Sequence, residues 1–260
     1  MNADALLAHF TEQQVAAFFL VLTRIGPLFL LAPLFSSKSL PARARTVVAL
    51  GITVGLTPVV KHGPIDLDPL AFGLTVVKEL LVGLAYAYAL SAMFAGLQAA
   101  GTLLDTLIGF SFGATVDPVT GNQSAVIQQM YTYFGIAVFI AIGGDAWVIK
   151  GLAKTYEAVP MLSTPDIGSM TEGAQVAFSS VLVSGFMVGA PVIIALIIVD
   201  AAFGVVSKVV PQMNVFGVGF PAKMIVGLTL LGATLPFVAG FVTRELQESV
   251  ATALHALKVA

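Results

Sequence analysis

The chain has 260 residues, of which Lys and Arg supply 12 and Asp and Glu 14, so that only 10 % are charged. A soluble domain carries roughly a quarter charged residues. With 58 % hydrophobic residues and a mean hydropathy of +0.97, too few polar side chains remain to cover a compact soluble monomer. This excludes a disordered chain, a coiled coil and a nucleic-acid-binding domain, and leaves a polytopic membrane protein or a subunit covered by partners on most sides.

The charge-free runs set the expected elements. Val15–Phe35 is interrupted only by Arg24 and holds Gly26, Pro27 and Pro33, so it predicts a kinked or broken helix. Thr46–Val60 is a short second run with Pro58 near its end. Leu80–Leu104 is a third, whose helix is expected to start earlier, near Pro69. The run Pro118–Gly144 opens on the turn Asp117-Pro118-Val119-Thr120-Gly121-Asn122, so its helix is expected from about Ser124 to about Tyr156. Gly173–Val199 and Met224–Thr243 complete six hydrophobic helices, each near the length of a membrane span except the second. Gly occurs 25 times and Pro 13 times, many within these runs. Gly51-xxx-Gly55 and Gly185-xxx-Gly189 suit close helix packing or, more specifically, a dimer seam.

The connections carry the charge. Ser36–Arg45 holds Lys38, Arg43 and Arg45 without an acid, which marks it as a cytoplasmic loop. Alternation over six crossings then places Asp200–Lys223 inside and both termini outside. The N-terminal segment, with Asp4 and Glu12 ahead of its apolar run, does not read as a cleaved signal. One domain is the simplest division.

Motifs for chemistry are missing. There is no P-loop, no H-E-x-x-H and no G-x-S-x-G, and Gly217-Val218-Gly219 lacks the third glycine of a dinucleotide fingerprint. Cys is absent, and His9, His62 and His255 are far apart in sequence. We therefore expect no catalytic residue, no metal site, no cofactor and no enzymatic activity. The charges in or beside apolar runs are Arg24, Lys78, Glu79, Asp105, Asp145, Asp200, Lys208 and Lys223. A charge at mid-membrane costs about 2.5–3.5 kcal/mol on insertion scales, so these residues belong at helix ends, against partner subunits, or in an ion pathway. Asp200 and Lys208 share a helical face, whereas the adjacent Lys78 and Glu79 cannot face each other.

Two segments break the helical pattern. Asp105–Asn122 is apolar but rich in Gly, Ser and Thr, and reads as a buried loop or a re-entrant element beside a pore. Pro211–Pro221 interrupts an apolar region with two prolines, two glycines and two amides, and reads as a turn between helices, a subunit contact or a pore lip.

These segments carry a resemblance. Pro211-Gln-Met-Asn-Val-Phe216, continued by Gly-Phe-Pro221-Ala-Lys223, resembles the signature of the FliR family of flagellar export-gate membrane proteins, whose virulence-secretion relatives are called SctT. Arg24-Ile-Gly-Pro, Pro33 and Ser-Leu-Pro41-Ala-Arg43-Ala-Arg45 are similar to that family's first loop, and Asp117-Pro118-Val-Thr-Gly121-Asn-Gln-Ser124 matches as well. The order of hydrophobic segments agrees over nearly the whole chain. Asp145-Ala-Trp147 departs from the family, which often has a more polar, His-containing stretch there, and Arg244–Ala260 carries no family signal.

The resemblance implies an all-α fold like a FliP-like subunit, residues 1–172, joined to a FliQ-like helical hairpin, residues 173–260. It implies a non-enzymatic subunit of the type III protein export gate in the bacterial inner membrane, at the flagellar basal body. The partners it implies are FliP-like, FliQ-like and FlhB-like proteins, unfolded export substrates and membrane lipid, with no nucleic acid. Part of that complex lies above the membrane plane on the periplasmic side. The resemblance also implies a luminal plug at Ile108, Gly109, Phe110, Ser111, Phe112, Gly113, Ala114, Thr115 and Val116. A Phe/Gly/Ser/Thr segment can seal a narrow lumen by packing, and its glycines let it move aside without large strain. Expected subunit contacts are Arg24, Lys38, Arg43, Arg45, Asp117, Pro211, Gln212, Asn214, Phe216, Pro221 and Lys223. A virulence-type export subunit is the neighbouring alternative. A secondary transporter for small solutes, which broken helices and intramembrane charges also suit, is the rival from another class.

Overall fold

The computed structural model describes residues 11–36, 41–110, 125–212 and 214–257. These residues are overwhelmingly helical and contain no strand. In chain order the helices are α1 (Glu12–Leu31), α2 (Pro33–Ser36), α3 (Ala42–Leu56), α4 (Pro69–Ile108), α5 (Val126–Ala141), α6 (Gly144–Ala158), α7 (Ile167–Val209) and α8 (Val215–Ala256).

Local chemistry sets several starts. Thr11 and Gln14 form a capping box ahead of α1. Asp68 accepts from the Leu70 and Ala71 N–H groups, and Pro69 supplies a first helical residue that needs no donor. Asp166 accepts from Gly168 N–H and Ser169 Oγ ahead of α7, and Asn214 Oδ1 accepts from Gly217 N–H ahead of α8.

Four helices, α1, α4, α7 and α8, are long and apolar enough to cross a membrane. α5 and α6 add a fifth crossing if they act as one span; they meet at a 75° bend. The chain is thus an all-helical polytopic membrane protein, as expected, with the second run short as read and one correction to the fourth. The second run forms α3, whose 15 residues rise only about 23 Å at 1.5 Å each, short of a hydrocarbon core about 30 Å thick. That removes the premise of six alternating crossings. The fourth run is two helices, because Gly143 adopts φ 68° and ψ 35°, a left-handed conformation that ends α5. In the first run Pro27 lies inside α1 without ending it, and the break falls at Ala32, just before Pro33.

The chain forms two compact units, and the sequence passes between them four times. The first unit holds residues up to Ser91, Gly143–Ala177 and Gln247 onward; the second holds Ala92–Ile142 and Phe178–Leu246. α4, α7 and α8 contribute a segment to each. In the first unit, Leu20, Val21, Ile25 and Leu28 of α1 are buried, as is Tyr86 of α4, whose hydroxyl donates to the Val148 carbonyl of α6 at 2.8 Å. The core of the second is built from Leu97, Leu104 and Ile108 of α4, Ile127 and Tyr131 of α5, Val188, Val192 and Leu196 of α7, and Leu231, Val238 and Val242 of α8.

Candidate functional site

The first unit encloses a charge cluster. Arg24 lies on α1 with 1 % of its surface exposed, and its Nε donates to Glu79 Oε2 of α4 at 2.5 Å. One terminal nitrogen donates to the Val159 carbonyl at 2.9 Å and the Thr155 carbonyl at 3.2 Å, both at the end of α6. The guanidinium also stacks 4.0 Å above the Tyr156 ring. A buried guanidinium is tolerable only when its charge is paired and its donors are met, and here three helices do both. Close backbone approach makes this possible: a Cβ on Gly83, one turn beyond Glu79, would collide with the Arg24 carbonyl.

The second unit holds the foot of the expected plug. α4 ends at Ile108, fully buried in the core and seated against Gly227 of α8. Gly109 follows at φ 101°, with the Phe220 ring 2.6 Å from where a Cβ would stand. The positive φ favours glycine, and a Cβ here would push the Phe220 ring aside. Phe110 packs, partly buried, against the core. Asp105, one turn before this exit, is completely buried; its carboxylate accepts from the Ile127 and Gln128 N–H groups of α5, each at 3.0 Å. Beside the exit is a cavity of 370 Å³, lined by Ile108, Gly109, Phe203, Gly219 and Phe220 and bordered by Asp200 and Lys223.

The predicted contact residues distribute unevenly. Arg24 is inside the fold, its guanidinium occupied by intrachain partners, so it presents nothing to another subunit. Arg43 is exposed on the first turn of α3, and Arg45 is half-buried, with one terminal nitrogen 3.5 Å from the Ser36 carbonyl. Pro211 and Gln212 are exposed in the turn between α7 and α8, Asn214 caps α8, and Pro221 is exposed inside α8. Lys223 pairs with Asp200 across α7 and α8 at 2.8 Å, while Asp200 and Lys208 lie on the same helix, α7, as expected. Lys38, Asp117, the rest of the Asp117–Ser124 block and plug residues Ser111–Val116 lie outside the described residues, as does the side chain of Phe216. Among the described residues no group of three or more His, Asp or Glu side chains could hold a metal ion.

Sequence reasoning named Glu79 and Asp105 only as charges to be accounted for. The signal for Asp105 lies in its position. An acid in the last turn of a helix opposes that helix's dipole, so its partner has to be sought elsewhere.

The family model described as Bacterial export proteins, family 1, matches residues 15–249. The chain is similar to the flagellar biosynthetic protein FliR of Bacillus subtilis (strain 168), at 31 % identity over 219 residues, 83 % of this chain and 84 % of the relative. It is similar to the FliR of Escherichia coli (strain K12), at 26 % identity over 224 residues, 86 % of each. It is also similar to the surface presentation of antigens protein SpaR of Shigella sonnei, at 25 % identity over 215 residues, 81 % of this chain and 82 % of the relative.

Proposed function

The chain belongs to the bacterial export proteins, family 1, and on that premise we propose that it is a non-enzymatic subunit of the type III protein export gate of a bacterial flagellum. The observation that carries this reading is the family match over residues 15–249, which takes in both units and nearly all of the four long apolar helices.

The exposed apolar surface supports a subunit rather than a solitary transporter. In the most apolar stretches of α7 and α8 only 33 % and 28 % of residues are buried, against 61 % in α4. Phe178, Phe186, Ile194, Ile198 and Val205 of α7 are all more than half exposed. α3 adds Val47 and Val54 on a helix too short to span lipid. Lipid covers part of such a surface, and neighbouring helices of FliP-like and FliQ-like subunits cover the rest, with an FlhB-like protein associated. In this reading residues 1–172 play the FliP-like part and residues 173–260 the FliQ-like part. The assembly rises above the inner-membrane plane on the periplasmic side and conducts unfolded protein. Ile108–Val116 supplies the luminal plug, and Arg43, Arg45, Gln212 and Lys223 lie at subunit contacts.

Co-expression with FliP-like and FliQ-like partners tests the assembly. A defined complex is the expected product, with poor behaviour of the chain alone; a stable, functional monomer in detergent would sink the proposal. Deleting Phe110–Ala114 tests the plug separately, since the complex should still assemble but leak small ions. The similarity to SpaR favours a second reading, the corresponding subunit of a virulence-type system. A pull-down from the native cell decides between them by whether flagellar or virulence components come with the chain.

A further inference from the structure

α5 begins at Val126, and its N-cap position is held by Ala125, which has no side-chain acceptor. An N-cap side chain ordinarily takes the N–H of the second or third helical residue. In α5 those residues are Ile127 and Gln128, and both N–H groups go to Asp105, one to Oδ1 and one to Oδ2. Asp105 belongs to a different helix. It stands in the last turn of α4, where its charge opposes the α4 dipole, and it is completely buried. Two charge-assisted hydrogen bonds and the positive end of α5 offset that unfavourable placement. The main chain of the same residue serves the other side of the junction: the Asp105 carbonyl accepts from Gly109 N–H at 3.1 Å, closing α4 at the point where φ turns positive. The two helices are in backbone contact here, since a Cβ on Gly101 would run into Gln128 Cα.

We propose that Asp105 is a positioning residue that caps α5 from α4 and so ties both ends of the connection from Gly109 to Ala125 to one point. The chain leaves α4 and enters α5 beside a single residue, with its carbonyl holding the exit and its carboxylate the entry. A carboxylate suits the task because it offers one acceptor oxygen to each of two donors, whereas an amide offers only one and turns its NH₂ toward the other N–H. The consequence for export rests on the plug reading above: the clasp holds the end of α4 and the start of α5 together, and with them the two points from which the plug would spring.

The chain has no cysteine, so introduced cysteine pairs carrying spin labels report on it without background. One pair, at the exposed Thr106 and Gln129, straddles the stem. A control pair, at the exposed Ile197 and Leu228, sits elsewhere in the same unit. In the full chain assembled in membranes, Asp105→Ala should lose the narrow distance distribution of the stem pair and leave the control pair unchanged. Asp105→Asn should fall between Asp105→Ala and the parent. If Asp105→Ala does not accumulate, Asp105→Asn against the parent makes the same comparison. An unchanged stem pair overturns the proposal, and so does equal broadening of both pairs, which would mark Asp105 as a general core residue. The plug reading fails separately. A broadened Asp105→Ala stem alongside a leak-tight Phe110–Ala114 deletion defeats the plug alone. A leaking deletion alongside an unmoved Asp105→Ala stem defeats the cap alone.

Discussion

Arg24 of α1 and Glu79 of α4 form an ion pair whose side chains are only 1 % and 2 % exposed. The geometry near them explains why the pair persists. Glu79 neutralises the guanidinium, the Thr155 and Val159 carbonyls accept from it, and Tyr156 covers one face. Removing one partner leaves a buried charge uncompensated, which costs about 3–5 kcal/mol. We therefore expect Arg24→Leu and Glu79→Leu each to lower the unfolding temperature in detergent sharply. The double replacement should recover most of the loss, because two apolar side chains leave no charge to desolvate. Additive losses in the double variant would show that the pair is not the relevant unit.

Gly83 and Gly101 mark places where main chain of another helix blocks a Cβ on α4, from α1 in the first unit and from α5 in the second. In each case the obstacle to a Cβ is main chain, the Arg24 carbonyl or Gln128 Cα, and main chain cannot rotate away. Gly→Ala at either site should destabilise by at least the roughly 1–3 kcal/mol typical of overpacking. Gly26→Ala is the control, since a Cβ there meets nothing within 4 Å. Denaturation midpoints of the three variants check this; a Gly83→Ala chain as stable as Gly26→Ala would mean the helices can separate at little cost.

The long elements were legible because they depend on local information. The start of α4 at Pro69 follows from Asp68-Pro69 ahead of an apolar run, and the late start of α5 from the turn signals before Ser124. The α5–α6 bend was missed. Gly143-Gly144 closes the apolar run just ahead of Asp145, and this Gly-Gly turn signal was passed over in favour of one helix running on to Tyr156. The charges were hardest to read, because their partners are tertiary. Glu79 is 55 residues from Arg24, and Lys223 reaches Asp200 only because the chain reverses at the Pro211 turn. Helix-face arithmetic, which places Asp200 and Lys208 on one face of α7, cannot see across that reversal. At the expected plug the resemblance named the segment, and the partners of the Asp105 carboxylate, the Ile127 and Gln128 N–H groups, were again tertiary.

Asp200 and Lys223 behave differently from the buried pair. Their side chains are 50 % and 21 % exposed, so the bond contributes about 1 kcal/mol or less where water reaches it. Lys223→Gln should leave the unfolding temperature of the isolated chain nearly unchanged. If this corner of the second unit is a subunit contact, the same substitution should lower recovery of the complex in a pull-down with export partners. Full recovery would remove Lys223 from the contact set.

Asp166 gives a pH test outside the long apolar helices. The Ser169 hydroxyl and then the Gly168 N–H donate to its carboxylate and hold its pKa below the ordinary aspartate range. A carboxylate with a folded pKa below its unfolded value stabilises the fold above the unfolded pKa. That contribution is lost as pH falls from the ordinary aspartate value through the lower folded one. The first turn of α7 should therefore loosen only in strong acid, below the pH at which an unrestrained aspartate takes up its proton. Amide hydrogen exchange at Gly168 and Met170, corrected for intrinsic rates, should stay slow through mildly acidic pH and quicken below that point. Asp166→Asn should remove the pH step while keeping partial protection, because the amide oxygen still caps the turn. A step that survives in Asp166→Asn would assign the acid sensitivity to another group.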